Sequence, residues 1–353
     1  MKKEFLTSIE SIRGIAVLLV FCAHTLQHWN SIFKADTAEI IYLYLFTFHF
    51  DFGKLGVYIF FLISGYLIPF HNRERNEVTA QHFLTRRFYR IVPLYLLSIP
   101  IGIYFEHMAF GSSFSANAVA LNALLIPNFF SEPFALNVYW TLQIEMVFYL
   151  LIAIFLKRDL TREGSNLLIF LLVGSIICAE LFRSLNRLTP EFYQFGELAK
   201  ITGAISFIFL GSFIRKISNK TISKSELFIF STYVFYLSVY WPIKNLIKLK
   251  IETGASAFSF LVPALAIFIF GYSIKLLRKR RIKPLEYLGM TSYSFYLFHS
   301  PAIYITKIFF ASYFLEQAGN WNNLFCFVIA SFSLGLLFSH FGFKYIEERF
   351  RIR

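Results

Sequence analysis

Long apolar runs, separated by short polar segments, recur along the whole chain. Windows of spanning length lie at roughly 11–29, 52–70, 88–106, 136–156, 165–182, 197–214, 226–243, 255–274, 286–310 and 321–343. A helix needs about 20 apolar residues to cross the hydrocarbon core, and it satisfies its own backbone hydrogen bonds in lipid. The runs are continuous rather than alternating, which argues against barrel strands. The pattern predicts an all-α fold: a polytopic membrane bundle of about ten transmembrane helices. Two stretches, 38–50 and 113–130, do not read as simple spans. They are expected to lie in the interface or to re-enter and frame a cavity. No internal repeat or low-complexity linker breaks the series, so a single transmembrane domain over 1–353, with no appended soluble domain, is expected.

Composition agrees with this reading. Hydrophobic residues make up 57% of the chain and charged ones only 16%, against roughly a quarter in soluble proteins. The formal net charge of +13 would suggest nucleic acid in a soluble chain. Here the basic residues sit mostly in short loops, where they orient helices and meet anionic headgroups, and no nucleic-acid partner is expected. With the N-terminus inside, the cytoplasmic segments collect most of the 34 basic residues. They include Arg73, Arg75, Arg86, Arg87 and Arg90, and the run from Lys275 to Lys283. This predicts N-in, C-in topology. Against it stands KNLIKLK at 244–250, which falls outside with three lysines. Lys2 and Lys3 before an apolar run also resemble a signal peptide, but no convincing small-residue cleavage site follows, so a retained first span is expected. Cys22, Cys178 and Cys326 lack metal-ligand spacing. They are expected as buried small hydrophobes, with no metal site.

The polar residues inside these runs change the picture most. Arg13 and His24, in SIRGIAVLLVFCAHT, are eleven residues apart. At ~100° per residue that is close to three turns, so both project from nearly one face, roughly 16 Å apart along the axis. Snorkelling explains an arginine alone, and an interfacial hydrogen bond explains a histidine alone. Together on one face they point to a cavity, because intramembrane ionisable groups usually serve function. Glu145, in YWTLQIEMVFYL, has no basic neighbour in sequence, so it should find a partner on another helix. His299 precedes Pro301 in SYSFYLFHSPAIY, where a kink would open room. Arg87 and Arg90 share a helix face. They serve either as a positive-inside anchor or as a forked phosphate binder. Gly53, Gly56, Ser64 and Gly65 should permit close helix contact.

These motifs resemble, in order, those of the integral-membrane acyltransferase-3 family. Arg13 to His24 is similar to its R-x10-H signature, and FFLISG at 60–65 to its second motif. RRFYRIVPLY at 86–95 resembles its basic motif, WTLQIEMVFY at 140–149 its Trp–Glu pattern, and SYSFYLFHSP at 292–301 its late histidine motif. YIEERF at 345–350 resembles its C-terminal end, with Phe350 where a proline often follows. The resemblance implies a ten-helix, multi-pass protein of the bacterial inner membrane. It would move an acyl group, usually acetyl, from coenzyme A to a carbohydrate hydroxyl. Its acceptors would be cell-surface or lipid-linked glycans, such as polysaccharides and lipopolysaccharide. Acyl-CoA is then a donor substrate, and no cofactor is expected to be bound permanently.

Acyl transfer needs a base for the alcohol, stabilisation of the oxyanion and a grip on the donor. His24 suits the base, with Glu145 orienting it and Arg13 as an alternative partner for Glu145. Arg13, Arg87 and Arg90 are expected to hold the donor's phosphates on the cytoplasmic side. Trp140 and His299 are expected to line the acceptor or support the reacting centre. Ser64 is either an oxyanion donor or a packing residue. A glycan or lipid-linked sugar transporter or flippase is the rival class, since buried His, Arg and Glu would suit it equally.

Overall fold

The computed structural model of the chain describes residues 3–32, 51–67, 79–157, 165–244, 260–277, 281–314 and 321–350. The aromatic stretch 38–50, Arg73, Arg75 and the KNLIKLK segment beyond Lys244 lie outside the described residues. All regular elements among the described residues are helical. They are α1 (Lys3–Ile32), α2 (Phe52–Leu67), α3 (Ala80–Phe110), α4 (Ala116–Ala123), α5 (Tyr139–Lys157), α6 (Ser165–Leu188) and α7 (Gln194–Ser218). After them come α8 (Lys224–Phe235), α9 (Val262–Leu277), α10 (Lys283–Met290), α11 (Ser292–Phe314) and α12 (Trp321–Gly342). Among the described residues, six helices are long and apolar enough to cross a membrane: α1, α3, α5, α6, α7 and α12 with its continuation. Two more, α2 and α9, are shorter and apolar. With the family membership reported below, this makes the protein a multi-pass integral membrane protein.

The described residues divide into two compact units. Unit 1 takes those within Met1–Ile59, Leu97–Ser113 and Val234–Arg349, and unit 2 those within Phe60–Leu96, Phe114–Tyr233 and Phe350–Arg353.

In unit 1, α1 buries Ile9, Ile12, Ala16, Val17, Val20 and Phe21, a helical repeat of three and four. It packs against α9, α10, α11 and α12. The window read as one span at 286–310 is two helices, α10 and α11, parted at Thr291. A proline in its first turn starts α10. Its path along α1 leaves no room for side chains. A Cβ on Gly14 would lie 2.4 Å from the Leu285 carbonyl oxygen, and one on Gly289 would lie 1.7 Å from that of Glu10.

In unit 2 the α2–α7 contact follows the same logic. A Cβ on Gly65 would stand 1.6 Å from the Ile208 carbonyl oxygen, and one on Gly211 2.0 Å from that of Leu62. The last carbonyls of α2 have no partner within their own helix, and α7 supplies donors. Ser212 Oγ donates to the Gly65 carbonyl at 2.8 Å, and Arg215 Nη1 to that of Tyr66 at 3.1 Å. The glycines thus bring α7 close enough to cap α2. Gly65→Ala should lower stability by about 1–3 kcal/mol, the usual cost of overpacking, seen as a lower thermal midpoint in detergent.

The 113–130 stretch is not a span. Ser115 caps α4, and a 3₁₀ turn follows at Pro127–Phe130. Asn122 anchors the segment. It accepts from the Ala135 backbone N–H, donates to the Pro133 carbonyl, and its own carbonyl takes the Tyr95 hydroxyl. Gln143 on α5 donates to the Leu125 carbonyl.

The three cysteines, expected to be buried, are all exposed. Large apolar side chains such as Phe170 and Phe228 are exposed too. Outward apolar faces are what lipid selects, so apolarity along a membrane helix does not by itself mean burial in the fold.

Candidate active site

The site in unit 1 centres on two imidazoles brought together from α1 and α11. His24 Nδ1 lies 2.9 Å from His299 Nε2, with the rings nearly parallel at 19°. His299 is fully buried. Its other nitrogen, Nδ1, is 2.8 Å from the Tyr296 carbonyl oxygen. A carbonyl can only accept, so His299 Nδ1 carries the proton. In the neutral ring Nε2 is then the acceptor. It follows that His24 Nδ1–H donates to His299, which leaves the lone pair on His24 Nε2. Phe295 holds the His299 ring from one side, stacked at 6.2 Å, and Phe21 packs edge-on against Phe295.

Asp51 stands at the start of α2 and is within electrostatic reach of His24. Its Oδ1 accepts from the Lys54 backbone N–H at 3.0 Å, and its Oδ2 pairs with the Lys54 ammonium at 2.6 Å. Arg13, about halfway along α1 from His24 to its start, pairs with Glu10 at 3.2 Å. Glu10 was absent from the sequence reading, although its i, i+3 spacing to Arg13 was a usable signal.

Unit 2 gathers a second group of candidates. The Tyr149 hydroxyl donates to Glu145 Oε1, one turn earlier on α5. Arg87 Nη1 lies 3.4 Å from the Tyr149 hydroxyl oxygen, and the guanidinium sits 4.8 Å from the Tyr149 ring centroid and 5.5 Å from that of Phe83. Arg90 lies within electrostatic reach of Tyr149. Glu145 therefore meets its basic partner through a tyrosine. Trp140 packs against the Phe61 ring at 6.4 Å. Ser64 is half-buried, and its hydroxyl makes no hydrogen bond among the described residues.

The structure thus joins His24 to His299, and Glu145 to Arg87 through Tyr149. The residue hydrogen-bonded to His24 Nδ1 is His299, where the sequence reading set Glu145. A contact between positions 24 and 299 leaves no local trace in a sequence. Asp51 and Tyr149 were also missed as participants. Asp51 reads as a helix-cap residue, and Tyr149 is one tyrosine among 20.

A model of the acyltransferase-domain family matches residues 6–340. The chain belongs to the acyltransferase-3 family. The match runs through every site residue named above. The chain is similar to the peptidoglycan O-acetyltransferase OatA of Listeria monocytogenes, at 23% identity over 99% of this chain and 56% of the relative. It is also similar to the O-acetyltransferase OatA of Staphylococcus aureus, at 24% identity over 89% of this chain and 52% of the relative. The acyltransferase MdmB of Streptomyces mycarofaciens is 30% identical over 41% of the chain and 38% of the relative. The chain spans about half the length of the two OatA proteins. No solved structure matches it.

Proposed function

We propose that the protein is a membrane O-acyltransferase that moves an acetyl group from acetyl-CoA, on the cytoplasmic side, to a hydroxyl of a surface glycan. The observation that carries this reading is the lone pair on His24 Nε2. It is fixed by a hydrogen-bond relay through His299 to the Tyr296 carbonyl. Family membership and the names of the OatA relatives support the acyl chemistry, and those names make peptidoglycan the first acceptor to try. We infer one acyltransferase domain of ten spans with both termini inside, in the bacterial inner membrane.

The steps balance within a ternary complex. His24 Nε2 takes the proton of the acceptor hydroxyl as its oxygen attacks the thioester carbonyl. The imidazolium so formed keeps its Nδ1–H bond to His299. The tetrahedral intermediate collapses, the carbon–sulfur bond breaks, and the thiolate recovers the proton from His24. Arg87 and Arg90 take the donor's phosphates as forked contacts, and Arg13 has the same role at the inner end of α1. Glu145 sets the Arg87 guanidinium through Tyr149. Trp140 is proposed to bind the acceptor or to support the reacting centre, and Ser64 to serve as an oxyanion donor or as a packing residue.

Purified full chain in detergent, given acetyl-labelled CoA and peptidoglycan fragments, should place label on the glycan. Glycan movement across proteoliposomes with no label transferred would favour the transporter class instead. For the donor role, Arg87→Met should raise the apparent donor KM by about 10–100-fold with a smaller change in kcat, since a charged hydrogen bond contributes about 1.5–3 kcal/mol. An unchanged donor KM would contradict that assignment.

A further inference from the structure

Beyond the histidine pair, on the same helices of unit 1, lies a polar cluster that the proposed chemistry does not use. His28 is one turn past His24 on α1, Tyr304 and Lys307 follow His299 on α11, and Glu106 and Phe110 end α3. The Glu106 carboxylate lies beside the Tyr304 and Ser112 side chains and within electrostatic reach of Lys307. Lys307 Nζ sits 3.9 Å from the Phe110 ring centroid, a cation–π distance. Phe110 and Tyr304 meet edge to face at 5.1 Å, and His28 packs against both rings. One atom in this group is unsatisfied. Glu106 Oε2 is buried and has no hydrogen-bond partner among the described residues. A buried carboxylate oxygen without a donor is costly, and a ligand donor would remove that cost.

We propose that this cluster is the acceptor subsite, with Glu106 Oε2 receiving a sugar hydroxyl. The inference rests on the acyl-transfer reading for the identity of its ligand. A sugar hydroxyl both donates and accepts, so it suits a carboxylate set beside an ammonium. Phe110 offers an apolar ring to the C–H face of the sugar. The charge of Glu106 disfavours a phosphate, which separates this cluster from the donor's arginines. A site that hydrogen-bonds a substrate hydroxyl also rejects analogues lacking it. The subsite would therefore set which hydroxyl is presented to His24.

Binding of a β-1,4-linked N-acetylglucosamine tetramer to the full chain in detergent, followed by calorimetry, tests this without turnover. Glu106→Gln should raise the Kd by about tenfold or more, as expected for losing a charge-assisted hydrogen bond. Phe110→Ala should raise it about threefold or more through lost ring contact. Phe110 is 42% exposed, so this variant decides the matter if Glu106→Gln does not fold. Equal affinity in the variants and the unaltered chain, or no binding by the unaltered chain, overturns the subsite. If the variants bind equally while label still reaches glycan, acyl transfer stands and only the subsite falls. Glu106-dependent binding in a chain that transfers no acetyl group would support the subsite and sink the transfer reading.

Discussion

His24→Ala should lower kcat for acetyl transfer by about 10²–10⁴-fold, the usual contribution of a positioned general base. The reason is geometric. His24 presents Nε2 as an acceptor because Nδ1–H is committed to His299 at 2.9 Å, and alanine removes the only imidazole nitrogen that the relay leaves open. The donor's phosphates are assigned to arginines rather than to this ring, so the apparent donor KM should move by less than about threefold. A large kcat effect with a small KM effect is the mark of an interaction made mainly in the transition state. His24→Asn serves as the polar control: it can hydrogen-bond to His299 but cannot carry a proton away at neutral pH, so it should be as inactive as alanine. The measurement is initial rates of label transfer to glycan at saturating and limiting acetyl-CoA. Transfer by His24→Ala within about threefold of the unaltered chain would remove His24 from the chemistry.

The sequence made some levels of this structure plain and hid others. Helix-length apolar runs predicted α1, α3, α5, α6, α7 and α12, because a membrane span is a local property of about 20 residues. The boundary at Thr291 was hidden. An eight-residue helix followed directly by a long one looks like a single run, and the close approach of Gly289 to the Glu10 carbonyl just before the break involves a residue far away in sequence. The glycine rule was read correctly at Gly56 and Gly65. A Cβ on Gly56 would lie 2.5 Å from the Ala16 carbonyl oxygen, although the partner helices could not be named in advance. Burial was the weakest inference. The periodicity that marks a core face in water does not separate fold-facing from lipid-facing positions, as Cys22, Cys178 and Cys326 show. Within the site, titratable residues could be picked out because each is costly in lipid. Their pairing could not, since His24 and His299 are separated by most of the chain.

That pairing leads to the second large effect. His299→Phe should reduce kcat by about 100-fold or more while leaving the chain folded. His299 is a positioning residue: its Nδ1–H is held by the Tyr296 carbonyl at 2.8 Å, so its Nε2 can only accept, and that acceptor fixes the tautomer of His24. Phenylalanine keeps an aromatic ring against Phe295 but offers no lone pair. His24 Nδ1–H is then left unpaired in a half-buried position, which costs about 1–3 kcal/mol if nothing replaces the acceptor. The ring can escape that cost by changing tautomer, which puts the proton on Nε2 and removes the base. A wrong tautomer behind an intact geometry is known to be worth several orders of magnitude where a histidine base depends on an orienting partner. His299→Gln separates this role from simple packing, because its side-chain oxygen can accept from His24 Nδ1–H while its amide donates elsewhere. It should recover activity to within about tenfold of the unaltered chain, on the strength of one restored hydrogen bond. Rates for the three proteins, read beside their thermal midpoints in detergent, decide the matter. If His299→Phe stays active, or if both variants lose activity in step with a lowered midpoint, the relay is a packing contact and His24 takes its tautomer from some other group.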